Sequence, residues 1–434
     1  MSKDQSKIEV NTPPPSVSRK QANYALTILF IVFVFNFIDR QILAILLEPI
    51  KKDLQVSDTA MGFLTGITFA VFYTFCGLPI ARWADKGNRG TIISIGLFIW
   101  SLMTALSGMV TNFIQLAAAR VGVGVGEAAG SPASHSLISD FFPPERRATA
   151  LSIFNMGASL GLFLGIFLGG WIGQAYGWRI AFLLVGAPGI ILALIVKFTL
   201  PEPPRGLSEV QDGDDTIYTV KDVFKFLWSL KSFRHLTIAA SLFSFATYGL
   251  INWTPAFLMR VHEMSMKDAA TWYGPMLGIS SGAGMLIGGL LCDKLGRKDI
   301  RWQLWVCAIA GFGAVPFIML FLFIPTPLAA LICYVPALIF GAFYVGPVYA
   351  LAQSLSKLRM RAVASAILMF FINLIGLGLG PQVVGIMNDV LASSFGTDSI
   401  RYSLSIVGVT NILAGIHFLK ASKHLKKDLE AKNR

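Results

Sequence analysis

The segment AAARVGVGVGEAAGSPASHSL (117–137) consists almost entirely of small and apolar residues, yet it carries Arg120 and Glu127. A third ionisable residue, Asp39, stands in the apolar run ALTILFIVFVFNFIDRQILAILL (25–47). If these runs cross a membrane, each charge costs about 2.5–3.5 kcal/mol even on the lenient insertion scale, so it signals function or mutual pairing. Seven residues turn a helix by about 700° and advance it about 10 Å, so Arg120 and Glu127 share a face but lie far apart for a direct pair. Depth supplies a partner. Arg120 falls about 10 Å and Glu127 about 21 Å below the outer surface, with Asp39 between them at about 16 Å. Asp39, Arg120 and Glu127 are therefore expected to form one cluster, with Gly122, Gly124 and Gly126 admitting the first span. Two carboxylates sharing one arginine cannot both be compensated. Glu127 and Asp39 are thus the expected proton carriers and Arg120 the switch; the alternative is a static ion triad. Arg40 lies about 100° around the helix from Asp39. Two roles are open to it, meeting an anionic substrate headgroup or pairing with Glu48.

The elements that position these residues follow from composition. The 434 residues are 54% hydrophobic and only 14% charged, with a mean hydropathy of +0.64. A soluble domain carries about a quarter charged residues, and a helix crosses a bilayer in about 20. The pattern is that of an all-α polytopic membrane protein, with spans expected at 23–50, 59–81, 91–111, 113–139, 148–175, 178–198, 235–259, 270–292, 302–324, 327–355, 362–388 and 400–420. Of the 36 Lys and Arg, 27 fall on the side of residue 1, six on the other side and three within spans. The positive-inside rule then places both termini in the cytoplasm. The net charge of +12 is explained by basic loops facing anionic lipid and calls for no nucleic acid. Cys76, Cys292, Cys307 and Cys333 show no paired spacing and are expected to be packing residues.

The spans divide six and six. Residues 1–22 form a polar tail expected to be disordered, 23–200 and 235–421 the two six-helix bundles, 201–234 a cytoplasmic linker and 422–434 a basic cytoplasmic tail. Within the linker, Val223, Phe226, Leu227 and Leu230 follow helical spacing opposite Lys221, Lys225 and Lys231. Such a helix lies on the membrane surface or serves as a solvated connector. The halves echo one another: ARWADKGNRG (81–90) and GLLCDKLGRK (289–298), then RATALSI (147–153) and RAVASAI (361–367). Parallel repeats of this kind place a substrate site between the halves near the midplane.

GLLCDKLGRK matches the major facilitator signature G-x3-D-[RK]-x-G-[RK]-[RK] at every position, and the chain resembles that superfamily along its whole length. The first copy departs from the signature at Ala81 and in the placement of Gly87. The resemblance implies the twelve-helix rocker fold, with Asp85, Arg89, Asp293 and Arg297 helping to latch the cytoplasmic side. NFIDR (36–40) and RVGVGVGEA (120–128) further resemble the Spinster branch, associated with lysophospholipids and sphingolipids. That resemblance implies the same proton-coupling residues and brings Asn36 into the expected substrate site.

No charged residue occurs between Trp302 and Ser356 or between Ala362 and Asn388. With Tyr344, Phe371 and Asn373 in these stretches, the C-terminal wall is expected to receive an acyl chain while Arg40 meets the headgroup. The expected function is proton-coupled movement of an amphipathic lipid by a monomer, with protons as coupling ion, no other cofactor and membrane lipids around it. A prokaryotic inner membrane is the expected location. A transporter of organic anions or drugs with the same fold is the nearer rival. Gly157, Gly161, Gly165 and Gly169 form a small-residue stripe for close helix contact. Gly278–Gly282 formally matches G-x-S-x-G, with His417 as an imaginable base. That match lies inside an expected helix, without the strand-to-helix elbow a serine hydrolase needs.

Overall fold

The computed structural model describes residues 18–204 and 219–431, apart from the side chains of residues 78, 85, 144, 145 and 358. Most of the N-terminal tail and the centre of the linker, including its acidic stretch, lie outside the described residues. Every regular element among those described is helical. The N-terminal half comprises α1 (Arg19–Leu54), α2 (Asp58–Thr65) with α3 (Ile67–Lys86), α4 (Arg89–Ser107), α5 (Phe113–Glu127) with α6 (Gly130–Phe141), α7 (Pro144–Tyr176) and α8 (Trp178–Thr199). After α9 (Val220–Ser229), the second half comprises α10 (Lys231–Val261), α11 (Met266–Gly296), α12 (Trp302–Phe323) and α13 (Pro327–Ala342) with α14 (Val345–Leu355). It ends with α15 (Arg361–Phe371), a π-helical stretch Ile372–Leu379, α16 (Gly380–Phe395) and α17 (Ser399–Ala431).

Among the described residues, ten segments are long and apolar enough to cross a membrane as helices. One of them, Arg361–Glu430, contains two traverses joined by a 3-10 turn at Gly396–Asp398. Another traverse comes from α5 and α6, each too short alone. The chain is an all-α polytopic membrane protein of twelve traverses, and the even number brings both described ends to one face, called the terminal face below. Four expected spans are broken helices. The breaks at Ala128–Ala129 and Phe343–Tyr344 fall at equivalent places in the two halves, the fourth and tenth traverses. At each break the ladder tightens for one step, Ala129 N–H donating to the Gly126 carbonyl at 3.2 Å and Phe343 N–H to the Phe340 carbonyl at 3.1 Å.

Helix starts are written locally. Ser18 with Gln21 makes a capping box before α1, and Ser57, Asn88, Asn112 and Ser265 cap α2, α4, α5 and α11. Each satisfies a backbone N–H that the first turn cannot. The glycine stripe of α7 packs on α1 as expected: a Cβ at Gly161 would stand 2.5 Å from Phe37 Cβ and 2.6 Å from the Val34 carbonyl. The 122–126 glycines do not face α1. Gly122 and Gly126 abut Met103 and Trp100 on α4, and Gly124 abuts the Phe69 carbonyl on α3. Their small size instead draws α4 and α3 against α5.

The amphipathic segment of the linker folds as α9, with Val223 and Leu227 fully buried. Its Trp228 stacks on Phe371 at 5.5 Å, so it docks on α15. The C-terminal tail does not begin as a separate segment at 422: α17 runs on to Ala431, with Ala421 and Leu425 buried.

Candidate functional site

Asp39, Arg120 and Glu127 are buried and close enough to interact electrostatically, as depth arithmetic requires. Their pairing differs from expectation. Arg40 reaches Glu127, Nε to Oε2 at 2.6 Å, although the helical wheel set it apart from Asp39's neighbours. Glu127 is the last residue of α5. A carboxylate at a helix C-terminus meets the negative end of the backbone dipole, and the guanidinium offsets that. Glu48, the other partner offered to Arg40, is instead bound by Arg260 at 2.7 Å.

Arg120 contacts neither carboxylate through a hydrogen bond. Its Nη1 donates to the Asp39 backbone carbonyl at 3.4 Å, and its Nε has no partner. Both carboxylate oxygens of Asp39 also lack hydrogen-bond partners, as does Oε1 of Glu127. The cluster is unevenly paired. One carboxylate is clamped and the other is held by field alone. Aromatic rings fill the space around it. The Arg40 guanidinium lies 5.1, 4.9 and 4.7 Å from the ring centres of Phe37, Phe69 and Tyr73, and Arg120 lies 5.6 Å from Phe69. Phe69 thus serves both cations, in the geometry that lets a ring quadrupole stabilise positive charge. Sequence reasoning missed Phe69 and Tyr73, because an aromatic residue in an apolar span gives no sign of which cation it meets.

Between the halves lies a cavity of about 710 Å³. From α1, α3, α6 and α7 it takes Arg40, Gln41, Tyr73, His135 and Asn155. From the other half it takes Tyr248, Tyr334, Leu338, Tyr344, Met369 and Ile372, with Asn373 and Asn411 as polar points. Arg40 is the one Asp, Glu, Lys or Arg among its lining residues. Tyr344 and Asn373 line it as expected, whereas Asn36 and Phe371 do not. Asn36 is 3% exposed and stands beside Glu127, behind the wall. Phe371 is turned away to Trp228.

The residues expected at a latch on the terminal face have other surroundings. Arg89 is buried within the N-terminal half, bonded to Glu202 at 2.7 Å, Ser136 at 2.9 Å, Asp140, and the Pro203 carbonyl at 3.2 Å. It ties the start of α4 to α6 and the linker. Asp293 and Arg297 are exposed and make no ion pair among the described residues, and the Asp85 side chain lies outside them.

The halves are instead bridged on the opposite face. Arg260 of α10 binds Glu48 of α1 and both oxygens of Asp58 at the start of α2, and Lys51 adds a 2.5 Å contact to Asp58. Asp389 of α16 accepts the backbone N–H groups of Asp58 and Thr59 at 3.1 and 2.7 Å, capping α2 from across the interface. The available signal was Arg260 itself, a lone arginine ending an apolar span on the charge-poor side.

Residues 29–381 match the Major Facilitator Superfamily. The chain belongs to that superfamily. An MFS-type efflux pump of Mycolicibacterium smegmatis is 32% identical over 94% of this chain and 95% of its own length. A sphingosine-1-phosphate transporter of Xenopus tropicalis is 27% identical over 96% and 85%, and a probable L-galactonate transporter of Escherichia coli 24% identical over 95% and 93%. The solved structure of a bacterial homologue of the human lysosomal transporter Spinster, inward-facing and unoccupied, superposes with a TM-score of 0.86 at 30% identity, covering 95% of this chain and 99% of that one. This facilitator is of the Spinster branch, and it is a transporter and not an enzyme. Consistent with that, Ser280 of the G-x-S-x-G match sits within α11, and His417 on α17 faces His235, their Nδ1 atoms 3.1 Å apart.

Proposed function

We propose that this facilitator moves an amphipathic anion, a lysophospholipid or sphingolipid-like molecule, across a bacterial inner membrane by alternating access coupled to protons. The observation that carries the reading is the double position of Arg40. One side chain lines the cavity and also clamps Glu127. An anionic headgroup entering the cavity competes with Glu127 for that guanidinium. Freed of its partner, Glu127 becomes available to a proton, while Asp39, with no donor on either oxygen, is available throughout. Arg120 then holds whichever carboxylate remains charged. The tyrosine-rich and aliphatic wall opposite Arg40 suits an acyl chain. With the opposite face bridged by Arg260, the cavity is reached from the terminal face, taken as cytoplasmic from the charge bias. The protein works as a monomer, and protons are its coupling ion.

The test is uptake of a labelled lysophospholipid into proteoliposomes, with and without an imposed pH gradient. Gradient-dependent movement that Glu127→Gln abolishes supports the reading. Movement indifferent to the gradient removes the proton and keeps the lipid. A second reading, transport of a small organic anion, is favoured by Asn373 and Asn411, which give the C-terminal wall polar contacts. Short-chain carboxylates that compete with the lysolipid at similar concentration would move that reading to the front.

A further inference from the structure

At the terminal face, the seam between α10 and α17 gathers Arg234, His235, His417, Lys420 and His424. His235 of α10 and His417 of α17 set their Nδ1 atoms 3.1 Å apart, and the His424 ring stacks on that of His235 at 6.4 Å. Burial apart, the groups that act on His235 most are His417, Lys420, His424 and Arg234, all of them bases. Arg234 is half-buried, Lys420 is exposed, and neither makes an ion pair among the described residues. Two carboxylates bonded at this end of α17 are engaged elsewhere. Asp428 accepts the Ser232 N–H at 2.7 Å, and Asp299 holds Arg301 and Lys426. Glu430 lies six residues past His424. Of the other elements packed here, α12 brings Trp305, bonded to Ser422, and α9 brings Val223 and Leu227. Toward the membrane centre the seam becomes apolar. Ile238, Leu413 and Ile416 are exposed, and each lies four residues deeper than one of the bases, Arg234, His417 and Lys420 in turn. At that spacing the two side chains share a helix face. Three times over, a base stands above an outward-facing apolar side chain, as a lipid phosphate stands above its acyl chain.

We propose that this seam binds an anionic phospholipid of the leaflet at the terminal face, its phosphate held by Arg234, Lys420 and the His235–His417 pair. Basic pockets between spans on the cytoplasmic side take such headgroups. The pair adds a proton to the exchange. Either ring can take a second proton while the bond to its partner persists in charge-assisted form, but Arg234 and Lys420 oppose that charge until a phosphate offsets it. Binding of the lipid thus draws in a proton, and by reciprocity a lower pH tightens the lipid.

Thermal unfolding of the full chain in phosphatidylcholine nanodiscs tests this, with phosphatidylglycerol replacing that lipid stepwise at fixed ionic strength. A saturable rise in Tm is expected. Its midpoint should fall at a lower phosphatidylglycerol fraction at pH 6 than at pH 8, because imidazole titrates between them. Lys420→Gln, at an exposed side chain, is expected to move the midpoint about fivefold higher, the worth of one base beside an anionic headgroup. Lys221→Gln, which removes an exposed base of α9 on the same face, is expected to leave it in place. In His235→Phe/His417→Phe, where both partners go together, the rise is expected to persist and its pH dependence to vanish. Equal shifts in Lys420→Gln and Lys221→Gln overturn the proposal, because surface charge alone then gathers the lipid. So does a midpoint in the unaltered chain that is the same at both pH values, or a rise that inorganic phosphate gives in phosphatidylcholine alone.

Discussion

At the scale of single residues, the cluster sets two carboxylates in one low-dielectric space with unequal partners. Asp39 makes no side-chain hydrogen bond within 3.5 Å, and the Thr104 hydroxyl beside it is also unpaired. Asp39→Asn therefore removes a charge without orphaning a donor, and is expected to leave Tm unchanged or raised while abolishing gradient-driven uptake. Arg40→Gln is the opposite case. It strands Glu127 without its clamp, and breaking a buried pair from one side costs about 3–5 kcal/mol. The double variant Arg40→Gln/Glu127→Gln is expected to recover most of that loss, because both partners go together. Unfolding of the three variants, read beside their transport, separates packing from coupling. The cluster's membership was legible in the sequence, since three charges in apolar spans at matching depth have few partners. Its pairing was not. That depended on how α1 and α5 are rotated against each other, which decides whether Arg40 or Arg120 meets Glu127 and which spacing within one helix does not encode.

At the scale of elements, the α1–α7 seam and the docking of α9 lend themselves to substitution. Gly161→Leu would drive a side chain into Phe37 and the Val34 carbonyl, and overpacking of this kind costs about 1–3 kcal/mol. Because α1 carries Asp39 and Arg40, the expected signature is lost transport at temperatures where the protein remains folded. Trp228→Ala is expected to release α9 from Phe371, raising hydrogen exchange in 220–229 and sparing ligand binding at the cavity. The end of α17 is held by Asp299, which takes Arg301 at 2.8 Å and Lys426 at 2.9 Å, and by Asp428, which accepts the Ser232 N–H at 2.7 Å. Arg301 and then Lys426 hold the Asp299 carboxyl well below the usual carboxylate range. A depressed value means the contribution is complete above the unfolded value of about 3.9 and fades only as pH falls through the folded one. Protection of residues 423–431 is thus expected to be equal at pH 7 and pH 5, and reduced at both by Asp299→Asn. Helix content and span order followed from hydropathy alone. Contacts such as Trp228 on Phe371 did not, since an exposed aromatic and a docked one read alike in sequence.

At the scale of the whole molecule, the bridge at Arg260 sets the balance between the two faces. Arg260→Gln removes the contacts to Glu48 and Asp58 together, and each 1.4 kcal/mol lost changes the ratio of states about tenfold. Distances between spin labels across that face are expected to lengthen in a measurable fraction of molecules, and an unchanged distribution would show that Asp389 and the α2–α16 packing suffice. The signature motif that revealed the family in sequence lies on the other face. The bridge itself is dispersed over Glu48, Asp58, Arg260 and Asp389, four residues from four helices with no common spacing. The cluster beneath it has one further property. Asp39, Glu127, Arg40 and Arg120 sum to no net charge when all are ionised, so turning the empty site from one side to the other does no work against a membrane voltage. One added proton makes the sum +1. The field then acts at about 2.3 kcal/mol per 100 mV, and it pulls the form that holds a proton and no anion toward the negative side. A pH step should accordingly drive a transient current across a supported membrane, and Asp39→Asn should silence it.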